Sequence, residues 1–423
     1  MNFSKIAKYS VILSIIPALY VCIYPGKIAL ITIFCSYSIL IGILIILGKL
    51  QIINEKINKK FDGEIFIKLF LSYNLFILLR GLYDAKSEQD WIAMFSAIIP
   101  LFLVTHFSIY LAAYKISIST VIKTFLSYGI ILCALIFLFL PPLSIDFVKS
   151  ISPIYFFILM IPFLNIKKAV FIIFVALFCF FSDFSNRSNL INICIAFIIA
   201  LSFFWKKRIW MLNLIKASRV VLLFMPIVFL ILGLSGVFNI FLLGDMMQAY
   251  SIDTGDGNKQ ELLIDSRTSI YVDVFSELER QEAFVFGLGA SGKTKTSLSE
   301  ISYADFDKIY KEGRRRTESG MLNYIQWGGM IGGLVYFLLF VKASYFGIYR
   351  SKNWFCVVLG VWLAFKGLFS FIEDATYFSI SSIFIFFALG ICLNKNIRAL
   401  TDLEIKMFFN KSLKFSLFRK SFN

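Results

Sequence analysis

Apolar residues fall in long blocks, broken by short polar stretches, over almost the whole chain. The blocks lie at 8–24, 28–48, 64–82, 91–112, 117–140, 153–166, 169–184, 190–205, 219–243, 320–343, 354–371 and 377–394. A helix needs about 20 apolar residues to cross a bilayer, where every backbone N–H and C=O must be satisfied internally. The pattern therefore predicts an all-α polytopic membrane protein with about 12 transmembrane helices. The blocks at 153–166, 169–184 and 190–205 are the shortest.

One stretch departs from the short connections. Residues 244–318 are polar, charged and long, and loops of that length in a compact protein are usually functional or disordered. This one carries helix signals. Asp265-Ser266 predicts a cap for a helix over 267–281, with Tyr271, Val274, Phe275 and Leu278 on one face. Ser302 predicts the start of a second helix ending at Gly313. The expected organisation is nine transmembrane helices over 1–243, a mostly helical cap over 244–318, three more helices over 319–394 and a basic tail over 395–423.

Composition sharpens this. Hydrophobic residues make up 59% and charged residues only 16%, against about 25% charged in soluble domains, so a soluble enzyme is excluded. Lys and Arg concentrate in alternate loops. One set holds Lys5, Lys8, Lys49–Lys60, Lys115, Lys167, Lys168, Lys206–Arg219, Arg350, Lys352 and the C-terminal tail. The other set of short loops holds only Lys27, Arg80, Lys86, Lys149 and Arg187. The positive-inside rule places the first set and both termini in the cytoplasm, and the long loop outside. The net charge of +16 is then a topology signal plus attraction to anionic membrane lipid, and nucleic acid is not an expected partner. All seven cysteines fall within the blocks and read as apolar packing residues. The first block runs on towards a second with no small-residue cleavage site, unlike a signal peptide.

"GLGASGKT", residues 287–294, matches the phosphate-loop pattern letter for letter. The context does not fit. A phosphate loop needs a preceding strand, a following helix and a metal-binding acid on another strand. Here the acid-bearing "IYVDVF" comes first, the loop is short for a nucleotide-binding domain, and it faces a compartment without ATP. The expectation is a glycine-rich turn whose backbone passes close to something, with no ATP and no cofactor. A glycine nest for an anion is the functional alternative.

The candidate chemistry gathers on the outer side. Arg187 lies in "FSNRSNL". Arg267 opens the first loop helix, where a cation opposes the helix dipole; anion binding or a salt bridge to Asp265 or Glu261 would account for it. Arg314, Arg315 and Arg316 precede Glu318, with a solvated basic edge as the plain alternative. Ser319, Asn323 and Gln326 stack on one face of the next helix, which predicts a wet cavity. Gly328, Gly329, Gly332 and Gly333 predict close helix approach. Lys366 lies a turn or two from the outer end of its block, with Glu373 and Asp374 just beyond. Asp305 and Asp307 form a D-x-D pattern that an exposed helix face explains as well as a metal site does, and no metal is expected. His106, the one histidine, reads as a satisfied interior residue towards the cytoplasmic side. Arginine forks suit pyrophosphate, and a carboxylate suits proton abstraction from a sugar hydroxyl.

With these features the chain resembles the bacterial O-antigen polymerase and ligase superfamily, specifically the Wzy-type polymerases. The resemblance covers the topology from end to end. In sequence it rests on "SNRS" at 185–188, on "SRTSIYVDVFSELERQEAFVFGLGASG", an arginine followed by a glycine-rich turn, and on "ESGMLNYIQWGGMIG". It implies a GT-C-like, inverting, metal-independent glycosyltransferase at the periplasmic face of the bacterial inner membrane. The implied substrate is an undecaprenyl-pyrophosphate-linked oligosaccharide, and a polysaccharide chain-length regulator is a further partner the resemblance allows. Arg187, Arg267, Arg314–Arg316, Asn323 and Lys366 would bind substrate and Glu318 would be catalytic. The ligase branch has a histidine where this chain has Glu318, which favours polymerase. The rivals are an O-antigen ligase acting on lipid A core and a lipid-linked oligosaccharide flippase.

Overall fold

The computed structural model describes residues 3–23, 28–49, 60–139, 150–182, 187–234, 266–295 and 313–412. Among them there are helices, turns and two isolated bridges, and no strand. Each apolar block carries a helix. In chain order these are α1 (Phe3–Ile23) and α2 (Ile28–Lys49), α3 (Glu64–Asp84), α4 (Glu88–Ala113), α5 (Lys115–Ile136) and α6 (Ile154–Phe163). Next come α7 (Ile166–Ser182), α8 (Arg187–Trp205), α9 (Ile209–Leu234) and α10 (Ser266–Arg280). The last are α11 (Gly320–Tyr349), α12 (Trp354–Phe369), α13 (Ile380–Leu393) and α14 (Asp402–Ser412). Six helices among the described residues are long and apolar enough to cross a membrane. The outside of the bundle is apolar as well: α7 exposes Phe171, Phe174, Phe178 and Phe181 along one side, a surface suited to hydrocarbon rather than water.

Helix α9 starts at Ile209, well before the block at 219–243, because Lys216 and Arg219 interrupt an apolar run without ending the helix. Arg219 is accommodated on α11, donating from Nε to Ser344 Oγ at 3.0 Å and from Nη2 to Val341 O at 3.0 Å.

The loops rich in Lys and Arg gather at one end of the bundle. Lys395 N donates to Lys60 O at 3.0 Å, Lys352 N to Arg398 O at 2.8 Å, and Lys206 pairs with Asp402 at 2.5 Å. Among the described residues, the connection at 85–87, the glycine loop at 287–294 and residues 313–319 meet away from that end, where Lys293 pairs with Asp90 and Thr294 with Arg314. The segment read as a tail is folded from 395 to 412. Ile397, Ile405 and Phe409 are buried, and Asp402 Oδ1 accepts from Trp354 N at 2.6 Å, so this segment belongs to the core. Residues 413–423 lie outside the described residues.

The path of α11 differs most from expectation. Gly329 has φ 65° and ψ −165°, and there the chain reverses. Tyr324 and Tyr336 stack with ring centroids 4.0 Å apart, whereas residues that far apart on a straight helix would be about 18 Å apart. The first arm, 320–328, lies back along the second, 330–349. Phe337 packs against Phe371, and Met321 N donates to Ser370 O at 2.8 Å. Gly320 therefore sits roughly 12 Å down the second arm from the Gly329 turn. The first arm rises from inside the bundle towards its rim; it does not descend from the rim.

Candidate functional site

The glycine loop packs against the reversed arm. Leu288 N donates to Gln326 O (2.8 Å), Gly289 N to Trp327 O (2.9 Å), Ala290 N to Ile77 O (3.3 Å) and Thr294 N to Arg314 O (2.8 Å). These bonds tie the loop's backbone to α11, to α3 and to the segment at 313–319. A Cβ on Gly287 would lie 2.3 Å from Gly329 N. The surface that the loop approaches is thus the turn of α11. The "FVF" before it is a turn, not a strand, and "IYVDVF" is helical. Tyr271, Val274, Phe275 and Leu278 all face the core from α10. The second loop helix and Asp305-Phe-Asp307 lie outside the described residues.

Residues 313–319 run into the bundle and are fastened on several sides. Arg314 exchanges backbone hydrogen bonds with Thr294, both 2.8 Å. Arg315 donates to Asp90 Oδ1 from Nε (3.1 Å) and Nη2 (2.7 Å), and Lys293 Nζ reaches the same oxygen at 3.0 Å. Arg316 Nη2 pairs with Asp374. Trp327 Nε1 donates to Arg315 O at 3.0 Å, and Gln326 Nε2 to Gly292 O (3.2 Å) and Arg314 O (3.1 Å). Among the described residues, three buried atoms along this seam have no hydrogen-bond partner: Arg316 Nε, Gln326 Oε1 and Thr294 Oγ1.

Asn323 turns out to be a clamp. It is 0% exposed. Its Oδ1 accepts from Thr317 N at 2.6 Å, and its Nδ2 donates to Thr317 O at 3.2 Å and Thr376 Oγ1 at 2.9 Å. With its amide occupied in this way it holds the inserted segment to the 370–377 loop and has little left for a ligand. Ser319 and Gln326 are buried too, so the polar face closes a protein seam instead of lining a wet cavity. The glycines do permit close approach: Gly328 meets Tyr73 and Ile77 of α3, while Gly332 and Gly333 meet the first arm of α11 itself.

The loop after α12 forms the hub. Glu373 accepts from Ser188 Oγ at 2.9 Å, and its backbone oxygen accepts from Gly320 N at 3.1 Å. Lys366 Nζ donates to Asn192 Oδ1 at 2.5 Å and lines a small cavity of about 20 Å³ with Glu373, Ser370 and Tyr336, room for about one water. Tyr271 of α10 donates to Phe371 O at 2.7 Å and shares a hydrogen bond with Ser319 Oγ at 3.2 Å. Arg267 lies one turn before Tyr271; its side chain is outside the described residues. Farther along α10, burial raises the Glu277 carboxyl, but hydrogen bonds from Arg280 and Gln281 outweigh it and hold the group below its usual range.

Two charged residues at the hub remain open. Glu318 is exposed and makes no hydrogen bond or ion pair among the described residues. Arg187, next to Ser188 at the start of α8, is likewise exposed and unpaired among them. Each lies one or two residues from a group that touches Glu373. The structure thus brings Arg187, Arg316, Glu318 and Lys366 around one loop, while Arg315 is engaged by Asp90 and Arg314 is anchored by its backbone. His106 is interior, as expected, but lies midway along the bundle. Asn74 Nδ2 and His106 Nδ1 are 3.1 Å apart, and Tyr324 Oη and His106 Nε2 are 2.7 Å apart.

Sequence reasoning missed Asp90 and Asn192, and gave Ser188 of "SNRS" no role of its own. Asp90 shows locally only as half of a capping box with Ser87. Ser188, Asn189 and Asn192 form a polar face at helical spacing on an apolar helix, a readable signal of buried partners. Comparison with protein-family models, with characterised proteins and with solved structures returned no match.

Proposed function

We propose that this chain is a polysaccharide polymerase of the O-antigen type. It transfers a growing glycan from undecaprenyl pyrophosphate to the non-reducing end of an incoming undecaprenyl-pyrophosphate-linked repeat unit. In this reading it is a GT-C-like enzyme with about 12 spans, its basic end in the cytoplasm and its hub open to the periplasm. One observation carries the reading. A single inserted segment presents a carboxylate, Glu318, that is unpaired among the described residues, two residues from Arg316, whose guanidinium keeps one buried N–H without an acceptor among them.

The chemistry follows from these groups. Glu318 takes the proton of the acceptor hydroxyl as that oxygen attacks the anomeric carbon of the donor glycan. The bond from that carbon to the pyrophosphate oxygen breaks, with inversion. Arg316, Arg187 and Arg267 stabilise the negative charge that develops on the departing pyrophosphate. Lys366 holds the hub loop through Asn192 and Glu373. The resting site at mid-depth suits a substrate whose lipid tail stays in the bilayer.

Deleting the gene and analysing the surface glycan tests the proposal. A single repeat unit on lipid A core supports it. Bare core would overturn it in favour of a ligase or a flippase.

A further inference from the structure

At the basic end an open cavity of about 750 Å³ lies between α1, α5 and α14. Lys8, Lys115, Lys123 and Lys411 line it with Thr120 and Tyr128, and among the described residues no carboxylate does. None of the four lysines forms an ion pair among the described residues. Lys8 instead stands over the Tyr128 ring, 5.1 Å from its centroid. Glu404 of α14 feels the charge of Lys115, but its carboxylate accepts from Thr401 N at 2.8 Å and Thr401 Oγ1 at 2.9 Å. Four like charges facing one cavity repel each other until an anion enters.

The depth of the cavity says which anion. Lys115, Ser119 and Lys123 share one face of α5, so Lys123 stands about 12 Å along the helix from Lys115. A lysine that far into an apolar helix is costly unless it reaches water or a counter-charge. From the cavity's edge the same helix exposes Tyr128 (51%), Ile131 (56%) and Leu135 (36%) in a stripe at i, i+3 and i+7. A basic pocket that continues into an apolar stripe matches a molecule with a phosphate head and hydrocarbon tails. A free phosphate has no use for the stripe.

We propose that this cavity binds the headgroup of an anionic phospholipid, with its acyl chains along Tyr128, Ile131 and Leu135. The proposal rests on the membrane reading of the chain and is independent of the transferase reading.

Native mass spectrometry of the detergent-purified protein tests it, with dioleoyl-phosphatidylglycerol, dioleoyl-phosphatidylcholine and inorganic phosphate as probes. Phosphatidylglycerol should bind more tightly than phosphatidylcholine. The double variant Lys8→Ala/Lys123→Ala should lose about fivefold in affinity per lysine, and Lys8→Arg/Lys123→Arg should keep it. Ile131→Ser/Leu135→Ser should weaken lipid binding and leave phosphate binding unchanged. Should the alanine pair fail to fold, the arginine and serine pairs decide. Equal affinity for the two lipids overturns the proposal. So does phosphate displacing phosphatidylglycerol with no effect of the serine pair, which would make this a soluble-anion site.

Discussion

Replacing Gly329 with alanine should destabilise the protein by about 2–6 kcal/mol. Two terms make up that figure. The backbone at φ 65° and ψ −165° is a region essentially reserved for glycine, and holding another residue there costs about 1–3 kcal/mol. The added methyl would also lie 2.2 Å from Val285 O and 2.6 Å from Gly287 N. Both are backbone atoms of the loop that donates to the α11 turn, so they cannot swing away as a side chain would. Overpacking of this kind costs about 1–3 kcal/mol more. The sum is large beside a typical folding free energy of about 5–15 kcal/mol. The assay is denaturation of the detergent-purified variant, with Gly367→Ala as control. A methyl at Gly367 would meet nothing closer than Phe340 Cβ at 3.3 Å, on an ordinary helical backbone. Gly287→Ala should resemble Gly329→Ala, and the double variant should cost less than the sum, because both disrupt one contact. A Gly329→Ala protein that unfolds like the wild type would refute the chain reversal.

Glu318→Gln should slow single-turnover transfer by about 10²–10⁴-fold with substrate binding retained; wild-type turnover would remove Glu318 as the base and point to Glu373 or Asp374. Arg267→Ala should abolish polymerisation while the protein still reaches the membrane, and normal long-chain glycan in that strain would exclude it from the site. Lys293→Ala should keep activity and lose roughly 1 kcal/mol of stability or less, since Arg315 still holds Asp90; ATP binding lost in this variant would contradict the loop assignment. Asp90→Ala removes the carboxylate shared by Arg315 and Lys293 and should cost about 3–5 kcal/mol in the same denaturation assay.

The helices were legible because lipid demands long uninterrupted apolar runs, and such runs are visible without a partner. The gathering of the described basic loops at one end was legible from Lys and Arg alone. The reversal at Gly329 was not, because an apolar run reads the same whether the helix continues or folds back on itself. The signals present were the doubled glycines and the polar Asn323 and Gln326, which need partners inside an apolar block. Arg315 found its partner 225 residues away, and no local pattern links the two. The C-terminal segment was hidden by its charge: lysines on the outer face of α14 outweigh Ile405 and Phe409, which sit one turn apart on the inner face. Of the site, the residue types at the hub were legible. Which of them are open and which are tied down depends on chain crossings that periodicity cannot express.

The docked C-terminal segment bears on the order of assembly. During synthesis the chain emerges from its first residue. Yet the amide of Trp354, at the start of α12, is met by Asp402, and the carbonyl of Lys60 by the amide of Lys395. Asp62 likewise pairs with Arg398. Contacts made by the early loops are thus completed only by residues far later in the chain, 336 positions later for Asp62 and Arg398. Until those residues arrive, the carbonyls and carboxylates that begin α3 must be held by water at the membrane surface. Closure of the bundle at this end therefore waits for residues 395–402, and a ribosome that stops short of residue 402 leaves these early groups without their clasp.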